Sequence, residues 1–252
     1  MSDFSLHTAI ENRVGRITFG HSSSNAMTLE LLEALARSID AFNDQDVSVL
    51  VLQSEGDRVF CAGANFDQLL ALSNQTEAKA FFSGFAHVML AIRRSKALVI
   101  ARVQAKAVGG GVGLISACDY AIASESASIK LSEIGIGIAP LVIEPAVTRK
   151  IGVGAMAEFA LHPKEWKTAS WAKEHNLYQS VYASVSHLDQ AINELCTELS
   201  AYSPQALSAL KAALWEGTDH WEDLLDARAE ASGKLALTNE AQAIIQAFKN
   251  RS

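Results

Sequence analysis

Long hydrophobic runs are missing from this chain of 252 residues. No uninterrupted apolar stretch reaches the roughly 18 residues that a membrane-spanning helix needs, so no span and no membrane partner are expected. The first residues, MSDFSLHTAIENR, lack a basic start followed by an apolar segment, and no signal peptide is expected there. Cysteine is scarce. Cys61, Cys118 and Cys196 form an odd, scattered set without metal-ligand spacing, which argues against a disulfide scaffold or a zinc site. Reduced thiols in a cytoplasmic protein fit that usage. Basic residues are outnumbered, 21 Lys and Arg against 28 Asp and Glu for a formal charge of −7, and no basic face with interleaved aromatics is visible. Nucleic acid is therefore not the expected partner. An anionic ligand is not excluded, because a local cluster can oppose the global charge. What is present, 49% hydrophobic and 19% charged residues, suits a globular chain long enough for one α/β domain or a domain with an appendage.

One stretch organises the rest: residues 98–133. It opens with an apolar, β-branched run, Leu98 to Val103, of the length of a buried strand. It then enters Gly109-Gly110-Gly111, followed by small and apolar residues from Val112 to Ala117 that read as a short buried helix. Strand, glycine turn, helix is a geometry that aims bare backbone N–H groups outward, since glycine permits close approach and a helix start leaves donors free. Farther on, Glu133 sits among Leu131, Ile134, Ile136 and Ile138. A carboxylate in apolar surroundings has a raised pKa, which suits proton transfer near neutrality.

In chain order, residues 5–20 predict a hairpin around Glu11-Asn12, and Thr28 to Phe42 an amphipathic helix with Leu31, Leu35 and Ile39 on one face. Val47–Leu52 and Val59–Ala64 predict strands, Phe66–Leu72 and Glu77–Ser95 helices, and residues 145–151 another helix. From Gly152 onward strands nearly vanish, apart from Leu177–Val181. Helices are expected over 155–161, 168–175, 188–202, 204–215, 221–232 and 240–250, with Pro163 and Pro204 as punctuation. Strand pairs followed by helices recur near 5–42, 47–72 and 98–118. The division expected is a core over 1–195 and a helical region over 196–252.

Four features compete for chemistry. The triple glycine could be a dinucleotide fingerprint, but from Gly109 the third required glycine falls on Leu114. It could also merely permit tight packing. Phe60-Cys61-Ala62-Gly63-Ala64-Asn65 is a second small-residue turn between strand and helix, and alone reads as an ordinary tight turn. Two such turns can hold one carbonyl oxygen from both sides, an oxyanion hole in which each donor contributes about 2.7–4 kcal/mol to lowering the barrier. Glu133 is the candidate acid/base, against the plainer reading of a turn cap. Glu144, just before Pro145, reads as an acid at a helix N-terminus, with a second-acid role as the alternative. Trp166, Trp171, Trp215 and Trp221 are expected to be packing residues, and His7, His21 and His175 have no evident partners.

FCAGANF, then VGGGVGLISACD, then LSEIGIGIAP, with Asn25-Ala26-Met27 near the start and AIIQAFKNRS at the end, resembles the crotonase (enoyl-CoA hydratase/isomerase) family. The resemblance covers the whole chain. It implies an α/β spiral of ββα units, a helical C-terminal trimerisation region giving a homotrimer or dimer of trimers, and an acyl-CoA thioester substrate. It implies no metal and no cofactor apart from the coenzyme A carried by the substrate. Carried over by position, the oxyanion hole falls on the N–H groups of Ala64 and Gly110, and one catalytic glutamate on Glu133. The flanking Ala62, Gly63, Gly109 and Gly111 are implied in binding, with Asn25 and Ala26 beside them and Phe248 and Lys249 toward the nucleotide. The family's other glutamate falls on Gly113. The usual Asp after the first turn is Asn65, and the usual Arg-Pro lead-in is replaced by His21-Ser22-Ser23-Ser24. The wording GGGxGLxxxCD with LSExxxGxxP resembles a methylglutaconyl-CoA hydratase-like subgroup of leucine breakdown. Hydration of an enoyl-CoA is the expected reaction. Double-bond isomerisation by Glu133 alone and a non-catalytic acyl-CoA-binding subunit are the alternatives. The acyl pocket is expected from the helix after Asn65, from 81–85 and from 139–143.

Overall fold

In the computed structural model, residues 3–249 are described, so the expected closing helix and motif run beyond them at 250–252. The chain is built by repetition. β1 (Phe4–Glu11), β2 (Val14–His21) and α1 (Leu29–Ala41) form the first unit. β3 (Val49–Ser54), β4 (Val59–Cys61), α2 (Phe66–Ala71) and α3 (Gln75–Arg94) form the second, and β5 (Leu98–Val103), β6 (Lys106–Val108) and α4 (Gly110–Ala117) the third. The sequence pattern shows these three. A fourth follows: β7 (Tyr120–Ser124), β8 (Ile129–Lys130), a 3-10 turn (Glu133–Ile136) and α5 (Glu144–Leu161). Its strands are short and rich in small residues, so they carry no periodic signal. α5 is broken at Gly152, whose φ of 77° is non-helical, which accounts for the two separate helices that the pattern suggests there.

The β1–β2 hairpin turns through Asn12 and Arg13, both at positive φ (48° and 64°), the tight two-residue connection whose twist matches the strands. An arginine tolerates that backbone because its side chain is tied down, donating to Ser48 Oγ at 2.6 Å and Asp46 Oδ1 at 3.1 Å. Thr28, expected inside the helix, instead caps α1 by accepting from Leu31 N.

The strands divide between two sheets. β1-β2-β3-β5-β7-β9 form the larger one, closed by β9 (Ser180–Tyr182), and β4-β6-β8 form a smaller parallel one. The inner strands β3 and β5 are covered on both faces and read as nearly continuous apolar runs, whereas β1 at the edge is largely exposed. Leu50, Leu52, Val99 and Ala101 face the main core, whereas Val49, Val51, Ile100 and Ile122 pack on Leu188, Ile192 and Cys196 of α7 (Val185–Ser200). The division expected after residue 195 therefore passes through α7, a helix that covers the core sheet. α6 (Ala169–Glu174) precedes β9, and α8 (Pro204–Leu214), α9 (Trp221–Ala236) and α10 (Asn239–Lys249) complete the described chain. Among the described residues no helix is long and apolar enough to cross a membrane.

The smaller sheet places the site. Its three strands are parallel neighbours, so the loops leaving β4, β6 and β8 emerge side by side at their carboxyl ends, the usual location of ligands on such sheets. Helix α8 is held against β5 of the larger sheet. Asp119, between α4 and β7, accepts from Val99 N at 2.7 Å and Trp215 Nε1 at 2.6 Å, and pairs with Lys211 Nζ at 2.9 Å. Both charged side chains are 4% exposed. Burial pulls the Lys211 ammonium below its ordinary pKa, and Asp119 opposes that pull. Removing one charge strands the other, so Lys211→Met is expected to cost about 3–5 kcal/mol in urea unfolding. Lys211→Met combined with Asp119→Asn should cost measurably less.

Candidate active site

A cavity of about 280 Å³ lies at those three strand ends. Its first wall is the turn after β4. Met27 bridges this turn in parallel: Met27 N donates to Gly63 O at 2.8 Å and Asn65 N to Met27 O at 2.9 Å. With both neighbours turned toward Met27, the N–H of Ala64 points the other way, along the alternation of extended backbone. Ala62 N donates to Ser24 O at 3.2 Å and Gly63 N to Cys61 Sγ at 3.4 Å, so Ala64 alone in this turn keeps a free donor among the described residues. Gly63 has φ 91°, and a Cβ there would lie 3.2 Å from Val108 O. Asn65, where an Asp would be usual, caps α2 by accepting from Gln68 N at 3.0 Å. A neutral amide serves that cap.

The second wall is the turn after β6. Gly109 N donates to Lys130 O at 2.9 Å, and Gly109 O accepts from Val112 N and Gly113 N. That leaves the N–H of Gly110, first in α4, without an acceptor among the described residues. Gly109 has φ 52°. A Cβ on Gly110 would lie 2.1 Å from the Phe85 ring, and one on Gly111 2.6 Å from Cys61 Cβ. Gly111, implied in binding by position, does not line the cavity and packs closely against Cys61.

Glu133 forms the third wall. The residue is partly exposed, but its Oε2 is buried and without a hydrogen-bond partner. Its Oε1 lies 2.7 Å from where a Cβ on Gly109 would sit, so only glycine lets the carboxyl approach that backbone. Burial pushes the carboxyl up from 4.5 to about 7, opposed by the nearby amides of Glu133 and Ser132. Such a group gains and loses a proton near neutral pH. By contrast, burial holds the Cys61 and Cys118 thiols up at about 12, and they are inert.

Other expected residues divide. Phe248 lines the cavity, edge-on to Phe66 with centroids 6.2 Å apart, while Lys249 pairs with Asp67 outside the lining. Asn25 and Ala26 do not reach the cavity. The Asn25 amide donates to Glu55 O and Val59 O, pinning its loop to the start of β4. Glu144 also lies outside the lining. It accepts from Thr148 Oγ1 at 2.6 Å, stands 3.6 Å from Arg228 and begins α5, as a helix-terminal acid does. Gly113 is closed off as well, since a Cβ there would lie 2.2 Å from Ile143 Cγ2. Of the segments expected to form an acyl pocket, Phe66, Phe82, Phe85 and residues 139–143 line the cavity. Lys130, Ser132 and Trp166 also line the cavity. The pattern concealed them because β8 is two residues long and Trp166 reads as one of four packing tryptophans. His175, without an evident partner in the sequence, stacks on Trp171 at 4.1 Å.

Two backbone N–H groups without acceptors and a buried carboxylate oxygen thus share one cavity, parts that can hold an oxyanion and move a proton. Residues 9–252 match the family model described as enoyl-CoA hydratase/isomerase. A solved structure of an enoyl-CoA hydratase from Mycobacterium avium is 30% identical, with 98% of this chain and 96% of that chain covered and a TM-score of 0.84. The peroxisomal Δ(3,5)-Δ(2,4)-dienoyl-CoA isomerase of Arabidopsis thaliana is 27% identical over 206 residues, 77% of this chain and 73% of that protein. The mitochondrial methylglutaconyl-CoA hydratase of Mus musculus is 33% identical over 138 residues, 53% of this chain and 43% of that protein. The chain belongs to the enoyl-CoA hydratase/isomerase family.

Two outcomes are expected. Because the folded pKa of Glu133 lies above its unfolded value, its contribution to stability is present below about pH 4.5 and is lost as pH rises through about 7. Glu133→Gln should therefore gain stability over the parent as pH rises across that window, by on the order of 1–3 kcal/mol in denaturant titrations. Gly113→Ala should destabilise by about 1–3 kcal/mol through overpacking, and Ile143→Ala in the same chain should recover part of that loss.

Proposed function

We propose that this protein shifts the double bond of an enoyl-CoA thioester, using Glu133 as the only proton carrier. One observation carries the reading: Glu133 is the sole carboxylate lining the cavity among the described residues. The position where the family's other glutamate would stand is Gly113, packed against Ile143. Moving one proton between two carbons needs one carboxylate. Adding water is helped by two.

In this scheme the thioester oxygen is held by the N–H groups of Ala64 and Gly110. The Glu133 carboxylate takes a proton from the carbon next to the carbonyl of a 3-enoyl chain, and the electron pair passes into a dienolate whose charge rests on the thioester oxygen. Protonated Glu133 then delivers that proton two carbons farther along, leaving the 2-enoyl product and the original carboxylate. A pKa of about 7 makes both half-steps accessible at neutrality.

Hydration is the second reading. The unpartnered Oε2 of Glu133 is an acceptor that could orient a water, and relatives named as hydratases favour it. A leucine-breakdown role draws on the partial likeness to the mouse protein. A homotrimer and a cytoplasmic location follow only from the family resemblance and the reduced cysteines.

The test is mass spectrometry of 3-enoyl- and 2-enoyl-CoA thioesters incubated with the protein in deuterated water. A moved double bond with no added mass of water is expected, with deuterium entering the chain only to the extent that the proton held on Glu133 exchanges with solvent before delivery; a hydrated product alone would transfer the assignment to the second reading. No turnover of any thioester would leave a binding subunit. Glu133→Gln should lower kcat by about 10²–10⁴-fold. Because the base must be ionised, kcat/KM should rise with pH through about 7 and level off above it.

A further inference from the structure

One wall of the cavity carries charge that the proton chemistry does not use. Val108 on β6 pairs with Lys130 on β8, and Lys106 lies two residues before Val108, so all three side chains share one face of the smaller sheet. Trp166 lies over that face. It is fixed there by the bridge of its neighbour Lys167, which exchanges two backbone hydrogen bonds of 2.9 Å with Ile129. The Nζ atoms of Lys106 and Lys130 each stand 5.3 Å from the centroid of the Trp166 ring. Lys130 and Trp166 line the cavity, and Trp166 is 39% exposed, so this wall reaches solvent.

Neither lysine has a carboxylate partner among the described residues. The nearby acids are already taken, since Lys167 Nζ holds Glu158 at 2.5 Å and Glu165 at 3.1 Å. Nor does Lys130 pair with Glu133, although both line one cavity; its ammonium rests on Trp166 instead. Two like charges held beside one ring repel each other, and an anion between them would relieve that repulsion. This is a local positive wall in a chain of net charge −7.

We propose that Lys106 and Lys130, held by Trp166, form an anion subsite at the cavity rim that reads a negative group on the thioester ligand. The inference rests on the acyl-CoA reading above. The shared chemistry is an oxyanion, and two parts of such a ligand can supply it: a terminal carboxylate on the acyl chain or a phosphate of the coenzyme.

Calorimetric titration of the full chain with butyryl-CoA, glutaryl-CoA and the corresponding pantetheine thioesters tests this. The comparison is between the parent and Lys106→Met with Lys130→Met, with Lys130→Met alone as the second variant and thermal melts to establish folding. A loss of about tenfold for the two glutaryl ligands only supports the subsite and assigns the acyl carboxylate. An equal loss for both CoA thioesters that is absent for both pantetheine thioesters supports it and assigns the phosphate. Parent-like affinity of the folded variants for all four ligands overturns the subsite while leaving the acyl-CoA reading intact. A parent protein that binds none of the four overturns the acyl-CoA reading itself, and the subsite with it.

Discussion

Two backbone N–H groups can face a ligand only where nothing else competes for the space or for the hydrogen bond. Around Ala64 and Gly110 both conditions are met by the same means. Met27 ties down the backbone on either side of Ala64, and Lys130 O ties down the residue before Gly110. Glycine at 63, 109 and 110 then removes side chains that would strike Val108, Glu133 and Phe85. The strand order makes this possible, since only parallel neighbours deliver three consecutive carboxyl-end loops to one place.

The environment of Glu133 follows from that packing. Its carboxyl rests against the Gly109 backbone, and its Oε2 has no partner, so burial raises its pKa with little opposition. A lysine in the same cavity would ordinarily reverse this by pairing with the carboxylate. Here the Lys130 ammonium stands over the Trp166 ring, and Lys167 is paired with Glu158, so neither is paired with Glu133. The second acid that the sequence offers, Glu144, is engaged by Thr148 and Arg228 at the start of α5.

The units beginning at β1, β3 and β5 were legible because each contains a strand or helix with clear periodicity, as did the turn motifs and the apolar frame of Glu133. The unit beginning at β7 was not, because Tyr120–Ser124 and Ile129–Lys130 take their strand character from neighbours rather than from their own side chains. The same reason hid α7 as part of the core: its apolar face is visible in sequence, but the sheet it covers is not.

Local chemistry alone determined the two glycine-rich turns and the carboxylate in apolar surroundings, since each depends on residues near one another in the chain. Tertiary structure decided which candidates meet. It brought Phe248, Lys130 and Trp166 to the cavity, turned Glu144, Asn25 and Lys249 away, and filled the space beside Gly113 with Ile143. These outcomes depend on contacts between residues distant in sequence, where the direction of a side chain is set by what packs against it and not by its neighbours along the chain.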